Sequence, residues 1–398
     1  MLNFKGGIKP DAHKYTKNSE IVRFPSPEKV KLCLFGENPC VSEGSVVKIG
    51  DRLTTACTAH SPVCGRVSKV ADGHVTIESN GETEVSAFAR PFPKKLSDAT
   101  REELLGYIKS KGICFDGTFL YEKLIRAADK AQILIVSCGE TLPFSCTAYK
   151  TLKEKKREII YGTKIIMRAV GVRKSAVTVE AIYRRDISEL NELKGKSANI
   201  EIISHTSKYP AHREEILKLM FMKKFISAGN KLSNDDILVV SCEEAAALFE
   251  AFKSGLPMVE RLVTVDGDAV FSPANIVVPT GVSVGEVLAH CNFEEKNCNV
   301  ILTGDPICAN EVSLTDDITK TSGTIIALSS KLAHSNTKKC ISCGKCHAVC
   351  PMRLSPRNII LTGKVDSKCI ACGCCSYICP ARIDFSQIYP MSEVNDSE

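Results

Sequence analysis

The 398-residue sequence contains no tryptophan, and aromatic side chains make up only 6% of it. Proteins that bind single-stranded nucleic acid stack bases on aromatic rings beside their basic residues, so this scarcity argues against that class despite a net charge of +6. No apolar run approaches the roughly 18 residues that a membrane-spanning helix needs. The amino-terminal stretch MLNFKGGIKPDAHKYTKN has no apolar segment of the kind a secretory leader carries. Both absences predict a cytoplasmic protein. Charge of one sign is not in large excess either, with 52 Lys and Arg against 46 Asp and Glu. The basic run Lys150–Arg157 (KTLKEKKR) reads as a solvated helix face, with docking of an acidic redox partner as the functional alternative.

Cysteine is plentiful instead, with 20 residues. A secreted disulfide scaffold would be short and would carry a leader, so metal ligation is the first explanation to test. Two runs have the same spacing, C-x2-C-x2-C-x3-C-P: Cys340, Cys343, Cys346, Cys350 and Pro351, then Cys369, Cys372, Cys375, Cys379 and Pro380. This spacing wraps three thiolates round one face of a four-iron cubane, and the fourth cysteine, expected to open a helix pointing away, ligates the other cluster. The expected sets are therefore Cys340, Cys343, Cys346 and Cys379 for one [4Fe–4S] cluster, and Cys369, Cys372, Cys375 and Cys350 for the second. Structural zinc uses two C-x2-C knuckles and does not explain this pattern. Gly344 and Gly373 supply the backbone freedom that turns N–H groups toward the sulfides. Cys374 is out of register and is read as a non-ligand. Residues 335–398 hold eight Lys and Arg against five Asp and Glu, which partly offsets the cluster charge. Two such groups in series suit relay of single electrons better than catalysis.

Elsewhere the patterning divides the chain. Residues 28–92 read as short strands with turn signals, and 97–245 alternate helix and strand, including a long amphipathic helix over Tyr149–Gly171. Residues 257–295 read as strands at 259–265, 267–270 and 274–278 followed by a helix at 283–291, a β-grasp pattern. The boundaries this predicts are an N-terminal arm (1–27), a barrel-sandwich-like β domain (28–92), an α/β domain (93–245), a β-grasp module (246–296), a connecting segment (297–334) and a two-cluster ferredoxin-type domain (335–398). The eleven remaining cysteines are read mostly as small buried hydrophobes. A redox-active thiol pair is the alternative, with Cys138, Cys114 and Cys146 expected near one another and Cys57 and Cys64 bracketing a turn.

The order of parts, with Phe4-Lys-Gly-Gly-Ile-Lys-Pro10, Val47-Lys-Ile-Gly-Asp51, Arg261-Leu-Val-Thr-Val-Asp-Gly-Asp268, Val278-Pro-Thr-Gly281 and the doubled cysteine motif, resembles the RnfC-like family over nearly the whole chain. That family is related to the flavin-bearing, NADH-oxidising subunit of respiratory complex I. The resemblance implies a complex-I-flavoprotein-like α/β domain, an SLBB-like β-grasp module and a role in electron transport. It also implies a flavin site, whose matching positions here are Gly112, Gly117, Lys123, Glu140, Lys208 and Tyr209. The sequence departs from the family there. The family's loop G-x-G-G-A-G-F-P-T reads Gly112-Ile-Cys-Phe-Asp-Gly-Thr-Phe-Leu120, the acidic turn E-x-E-P reads Glu140-Thr-Leu-Pro143, and Lys208-Tyr-Pro210 is followed by Ala-His-Arg213. These departures predict loss of competent NADH binding and leave FMN binding open. The favoured expectation is a relay to a partner reductase, for which members serving an amino-acid reductase such as proline reductase are the precedent. The chain stops nineteen residues after Cys379, without the long charged tail of membrane-complex members. Alternatives are an FMN-dependent NADH:acceptor component of an Rnf-type complex, peripheral to the membrane, and an adaptor whose clusters are structural.

Overall fold

The computed structural model describes residues 1–195, 197, 199–227, 232–308, 310–330 and 339–385. Positions 331–338 and 386–398, which close the expected connecting segment and flank the cysteine motifs, lie outside the described residues.

β1 (Ile21–Arg23) belongs to the N-terminal arm. β2 (Lys29–Cys33), β3 (Val46–Val47), β4 (Gly65–Ala71) and β5 (His74–Ser79) form an antiparallel sheet in the order β2-β5-β4-β3. β4 and β5 are joined by Asp72-Gly73, both at positive φ (53° and 72°), the two-residue turn whose twist matches a hairpin.

The second unit is built from α1 (Arg101–Lys109), α2 (Leu120–Ala127), β6 (Ile133–Ser137), α3 (Thr147–Glu154), α4 (Lys156–Val170), β7 (Lys174–Glu180), α5 (Arg184–Lys194), β8 (Ile200–His205), α6 (Glu214–Ser227), β9 (Ile237–Ser241) and α7 (Cys242–Ser254). Its strands are all parallel, in the order β8-β7-β6-β9. β6 is buried along its whole length, as a parallel strand covered on both faces must be. The strand order reverses between β6 and β9, and in such sheets the crevice at the carboxyl ends of these two strands is where ligands bind.

The long helix expected over Tyr149–Gly171 is two helices broken at Lys155, which leaves helical geometry (φ −122°, ψ 35°). The basic run across that break is only partly a solvated face: Lys153 and Arg157 are exposed, but the other three lysines are paired. Lys150 is buried and donates to the Ser19 carbonyl, Lys156 lies between Asp186 (2.8 Å) and Glu189 (2.9 Å), and Lys155 pairs with Glu250 at 2.7 Å. Their partners come from distant parts of the chain, so the local charge pattern could not show them.

β10 (Glu260–Asp266), β11 (Ala274–Pro279), α8 (Val284–His290), β12 (Val300–Thr303), β13 (Asn310–Glu311) and β14 (Thr324–Leu328) follow. They form, with β1, a six-stranded mixed sheet, β1-β11-β10-β14-β12-β13. The connecting segment thus supplies three strands of this sheet, and the N-terminal arm supplies its edge. The strand expected at 267–270 is a turn. Gly267 sits at φ 120°, where a Cβ would stand 2.0 Å from the Ala327 carbonyl oxygen, so the backbone crosses too tightly to continue a strand. The β domain and this sheet share one core in which Val30, Val75 and Ile77 pack with Val263, Ile276 and Ile325.

Lys320 fastens the three units together. Its buried ammonium donates to the carbonyls of Thr58 (2.7 Å) and Gly112 (2.6 Å). Burial pulls its pKa down to about 7 from 10.5. His60, Cys57 and Cys114 are titratable groups that interact with it. Between pH 7 and 10.5 the unfolded lysine holds a proton that the folded one has lost, so folding stability rises with pH across that window. Chemical denaturation at stepped pH should give a slope that Lys320→Met lowers, by at most about 1.4 kcal/mol per pH unit. Equal slopes in the two proteins would contradict the assignment.

Candidate metal centre

α9 (Lys345–Val349), α10 (Pro356–Thr362) and α11 (Cys374–Tyr377) carry the cysteine motifs. The two motifs fold alike residue for residue. Ser342 and Ala371 both take positive φ (57° and 46°), as do Gly344 and Gly373 (73° and 71°). The Ser342 N–H donates to Cys340 Sγ and the Ala371 N–H to Cys369 Sγ, each at 3.4 Å. Backbone donors thus already face sulfur, as an anionic site requires. Arg353 and Arg382, three residues after each fourth cysteine, also match in positive φ (59° and 53°).

The fourth cysteine does not open a helix, as the spacing had suggested. The left-handed glycine starts a short helix at once, the fourth cysteine follows its end, and the next residue is a proline that forbids continuation. Two cavities lie beside these motifs. One of about 190 Å³ is lined by Cys340, Cys343, Cys346 and Cys379; the other, of about 590 Å³, by Cys350, Cys369, Cys372 and Cys375. Each therefore has three cysteines from one motif and the fourth from the other. Among the described residues, no three or more His, Cys, Asp or Glu side chains close on a single-ion site. Thiols spaced round a cavity many times a water's volume fit a cubane of four irons.

The two sites differ in setting. Cys340 and Cys343 are exposed, whereas Cys372 is buried. Cys374 is fully buried and also lines the larger cavity, with its thiol hydrogen-bonded to Cys372. That bond is the main reason the Cys372 thiol falls to about 7, and the Arg213 guanidinium adds to the effect. Cys308 also lines the larger cavity, with its Sγ 3.2 Å from the Ala371 carbonyl oxygen, and burial pushes its thiol up to about 12.

The N-terminal arm builds the seat of the larger site. The Gly7 N–H donates to the Val349 carbonyl at 2.8 Å, and Ile8 and Tyr209 exchange backbone hydrogen bonds (2.9 and 3.0 Å). Lys208 donates to the carbonyls of Phe4 and Gly6 and lies over the Phe4 ring. Gly6 (φ 75°) must be glycine, since a Cβ there would stand 2.6 Å from the Cys350 carbonyl oxygen and 2.8 Å from that of Val349. The Tyr209 hydroxyl lies 2.7 Å from the Cys372 carbonyl oxygen and 2.6 Å from Asp305 Oδ2. Arg213 donates to the Ile370 carbonyl at 2.8 Å.

The six positions matched to a flavin site are therefore dispersed. Tyr209 holds the second cysteine loop and Lys208 holds the Phe4–Gly6 arm. Gly112 gives its carbonyl to Lys320, and Gly117 is a turn at φ 95° with open space about it. Lys123 is clamped between Asp116 and Glu244, the latter at 2.7 Å. Glu140 is buried and takes the Ala148 N–H at 2.6 Å; burial raises its carboxyl. None of the six lines either cysteine cavity or the cavity beside Phe115 and Arg261. Phe115 of the altered loop stacks under the Arg261 guanidinium at 4.3 Å, and Arg261 pairs with Glu243 at 2.7 Å. At the strand ends Cys138 and Cys242 are buried and hydrogen-bonded to each other. This is a different pairing from the Cys138, Cys114 and Cys146 grouping expected from the sequence. Lys123, the cation that would meet a phosphate, is held by two carboxylates, and Phe115 lies under Arg261, pairings that a bound flavin mononucleotide would have to open.

Arg213, Asp305 and Cys308 had no distinguishing mark as site residues in the sequence. Arg213 stood out only as a departure from glycine, and Asp305 and Cys308 reach the site through the β12–β13 turn, which no local pattern announces.

Sequence comparison gives the same order of parts. The model of the RnfC barrel sandwich hybrid domain matches residues 2–86, that of the Nuo51 FMN-binding domain 116–249, and that of the 4Fe-4S dicluster domain 333–380. The chain is 26% identical to a component of the proton-translocating ferredoxin:NAD(+) oxidoreductase complex of Clostridium ljungdahlii, covering 92% of this chain and 85% of that one. It is 28% identical to a component of the Na(+)-translocating ferredoxin:NAD(+) oxidoreductase complex of Acetobacterium woodii, covering 89% and 86%. Among solved structures, an NAD+-reducing [NiFe]-hydrogenase in the H2-reduced state shares the fold at a TM-score of 0.53 and 13% identity. The match covers 76% of this chain and 63% of the hydrogenase chain. No helix of the described residues is long and apolar enough to cross a membrane. With matches to the barrel-sandwich, flavoprotein-type and dicluster domains in this order, the chain is similar to the RnfC-like family over most of its length.

Proposed function

We propose that this chain relays electrons, one at a time, through two groups held by Cys340, Cys343, Cys346 and Cys379 and by Cys350, Cys369, Cys372 and Cys375, to a partner reductase. The observation that carries the reading is the pair of cavities, each of whose linings includes three cysteines of one motif and the fourth of the other, with Cys308 and Cys374 also on the larger one. Loaded with [4Fe–4S] clusters, such a pair stores and passes single electrons. The exposed Cys340 and Cys343 put one set at the surface, where a partner can approach. Cys372 and the Gly6–Pro10 arm put the other against the body of the protein, so the two sets form a path from outside to inside. An amino-acid reductase such as proline reductase is the class of partner the reading favours.

The relatives' names support a second reading, an NADH-oxidising FMN component of an Rnf-type complex. Lys123 between two carboxylates and Phe115 beneath Arg261 weigh against it, because a dinucleotide would have to displace both pairings. The test uses anaerobically purified protein. Mixing with NADH alone should leave the iron–sulfur absorbance unchanged, while a reduced low-potential one-electron donor should bleach it within the mixing time. Fast bleaching by NADH would overturn the proposal in favour of the second reading.

A further inference from the structure

The two cysteine loops make the same internal hydrogen bond to sulfur, but among the described residues only the second has a side-chain cation donating to the carbonyl behind that bond. In the second loop, Arg213 Nη1 donates to the Ile370 carbonyl at 2.8 Å, and the N–H at the other end of that same peptide, on Ala371, donates to Cys369 Sγ at 3.4 Å. Arg213, Ile370, Ala371 and the sulfur thus form one polarised chain, in which a donor to the carbonyl strengthens the N–H beyond it. The Tyr209 hydroxyl lies 2.7 Å from the Cys372 carbonyl, which belongs to the next peptide but one. In the first loop the matching bond, Ser342 N–H to Cys340 Sγ, is present at the same 3.4 Å. Among the described residues no side chain donates to the Ile341 carbonyl behind it. The residues around Cys340–Gly344 are exposed instead.

Arg213 is also mostly buried, with 23% of its side chain exposed, so its charge is screened less than a surface cation's. Asp305 opposes it in part. That carboxylate, however, lies 3.3 Å from Arg213 Nη2 but only 2.6 Å from the Tyr209 hydroxyl and 3.0 Å from the Ile307 N–H. The guanidinium makes its shortest bond to the cysteine loop and a longer one, 3.2 Å, to Cys308 Sγ.

We infer that Arg213 is a positioning residue that raises the reduction potential of the group held by Cys350, Cys369, Cys372 and Cys375. The inference rests on the two-cluster reading above. A fixed cation and a strengthened N–H···S bond both favour the added negative charge of the reduced state, and among the described residues no side chain donates to the Ile341 carbonyl of the outer loop.

The experiment is a potentiometric titration followed by electron paramagnetic resonance, with iron content measured on each sample. Arg213→Gln should make the inner group harder to reduce by about tenfold in equilibrium constant, or 59 mV for a one-electron couple, and leave the outer one unchanged. Arg213→Lys, which keeps charge and one donor, should recover most of that shift. Asp305→Asn removes the opposing carboxylate and should move the inner group the other way. No shift at the inner site, or equal shifts at both, in samples with full iron would overturn the inference. Should Arg213→Gln lose iron, Asp305→Asn decides: an easier reduction supports the role and no change contradicts it. Failure of the two-cluster reading would show separately, as unmodified protein lacking two four-iron signals.

Discussion

Cys379→Ser is expected to empty the site of Cys340, Cys343 and Cys346, which lie 33 to 39 residues away, and to spare the site of Cys369, Cys372 and Cys375 immediately before it. Iron should fall from about eight to about four per chain, and the surviving signal should be that of the inner group. Cys350→Ser should do the reverse. The expectation follows from the cavities: Cys379 lines the one bounded by the first motif, and Cys350 the one bounded by the second. Serine is nearly isosteric with cysteine but a much harder ligand, so the change removes coordination while barely altering packing. Cys374→Ser and Cys308→Ser are the controls, and both should keep about eight irons. Cys374 is out of register with the motif and its thiol is engaged by Cys372, and Cys308 bonds to the Ala371 carbonyl and Arg213. Iron and sulfide analysis with magnetic resonance reads all four. Loss of the inner signal in Cys379→Ser would mean that each motif ligates its own cluster, and the crossed assignment would be wrong.

Gly6→Ala should be the most damaging single methyl group in the N-terminal arm. Two costs combine there. The residue sits at φ 75°, where a Cβ costs about 1–2 kcal/mol by itself. The new Cβ would also stand within 2.8 Å of the Cys350 carbonyl carbon and of two carbonyl oxygens, backbone atoms that cannot rotate away. To relieve the overlap the arm must lift from the loop that carries Cys350, which breaks the Gly7–Val349 bond and the Lys208 clamp. The total is expected to reach several kcal/mol, in the range of a severe substitution. Gly44→Ala provides the scale. It has a similar φ of 86° but nothing within 4 Å, so it bears only the conformational cost. Thermal unfolding should place Gly6→Ala well below Gly44→Ala, and Gly6→Ala should shed inner-site iron first. Equal melting temperatures and full iron in both would remove the arm from the account.

The cysteine spacing made the metal centre legible because ligand geometry is local: three thiolates on one loop and a fourth at fixed offset are written in a dozen residues. The parallel sheet was legible too, since β6 is continuously apolar and short. The Asp72-Gly73 hairpin carried its turn chemistry openly. What the sequence did not show is where the pieces meet. The arm's Phe4–Pro10 stretch was recognisable as a signature, but its role as the seat of Cys350 depends on contacts with residues more than three hundred positions away. Lys208 and Tyr209 were matched to a flavin site because their neighbours in the family suggested one, and here Tyr209 holds the second cysteine loop and Lys208 the Phe4–Gly6 arm. The lysines of the 150–157 run looked solvated because Asp186, Glu189 and Glu250 are invisible to a local window. The strands of 300–328 are short and interrupted by turns, so they read as a linker until their partners in the mixed sheet were placed.

The most direct measurement is the iron, sulfide and flavin content of protein purified without oxygen. The account expects about eight irons, about eight sulfides and no flavin per chain. About one flavin mononucleotide per chain would contradict it, because the pairings of Lys123, Asp116 and Phe115 would then have to open for a phosphate.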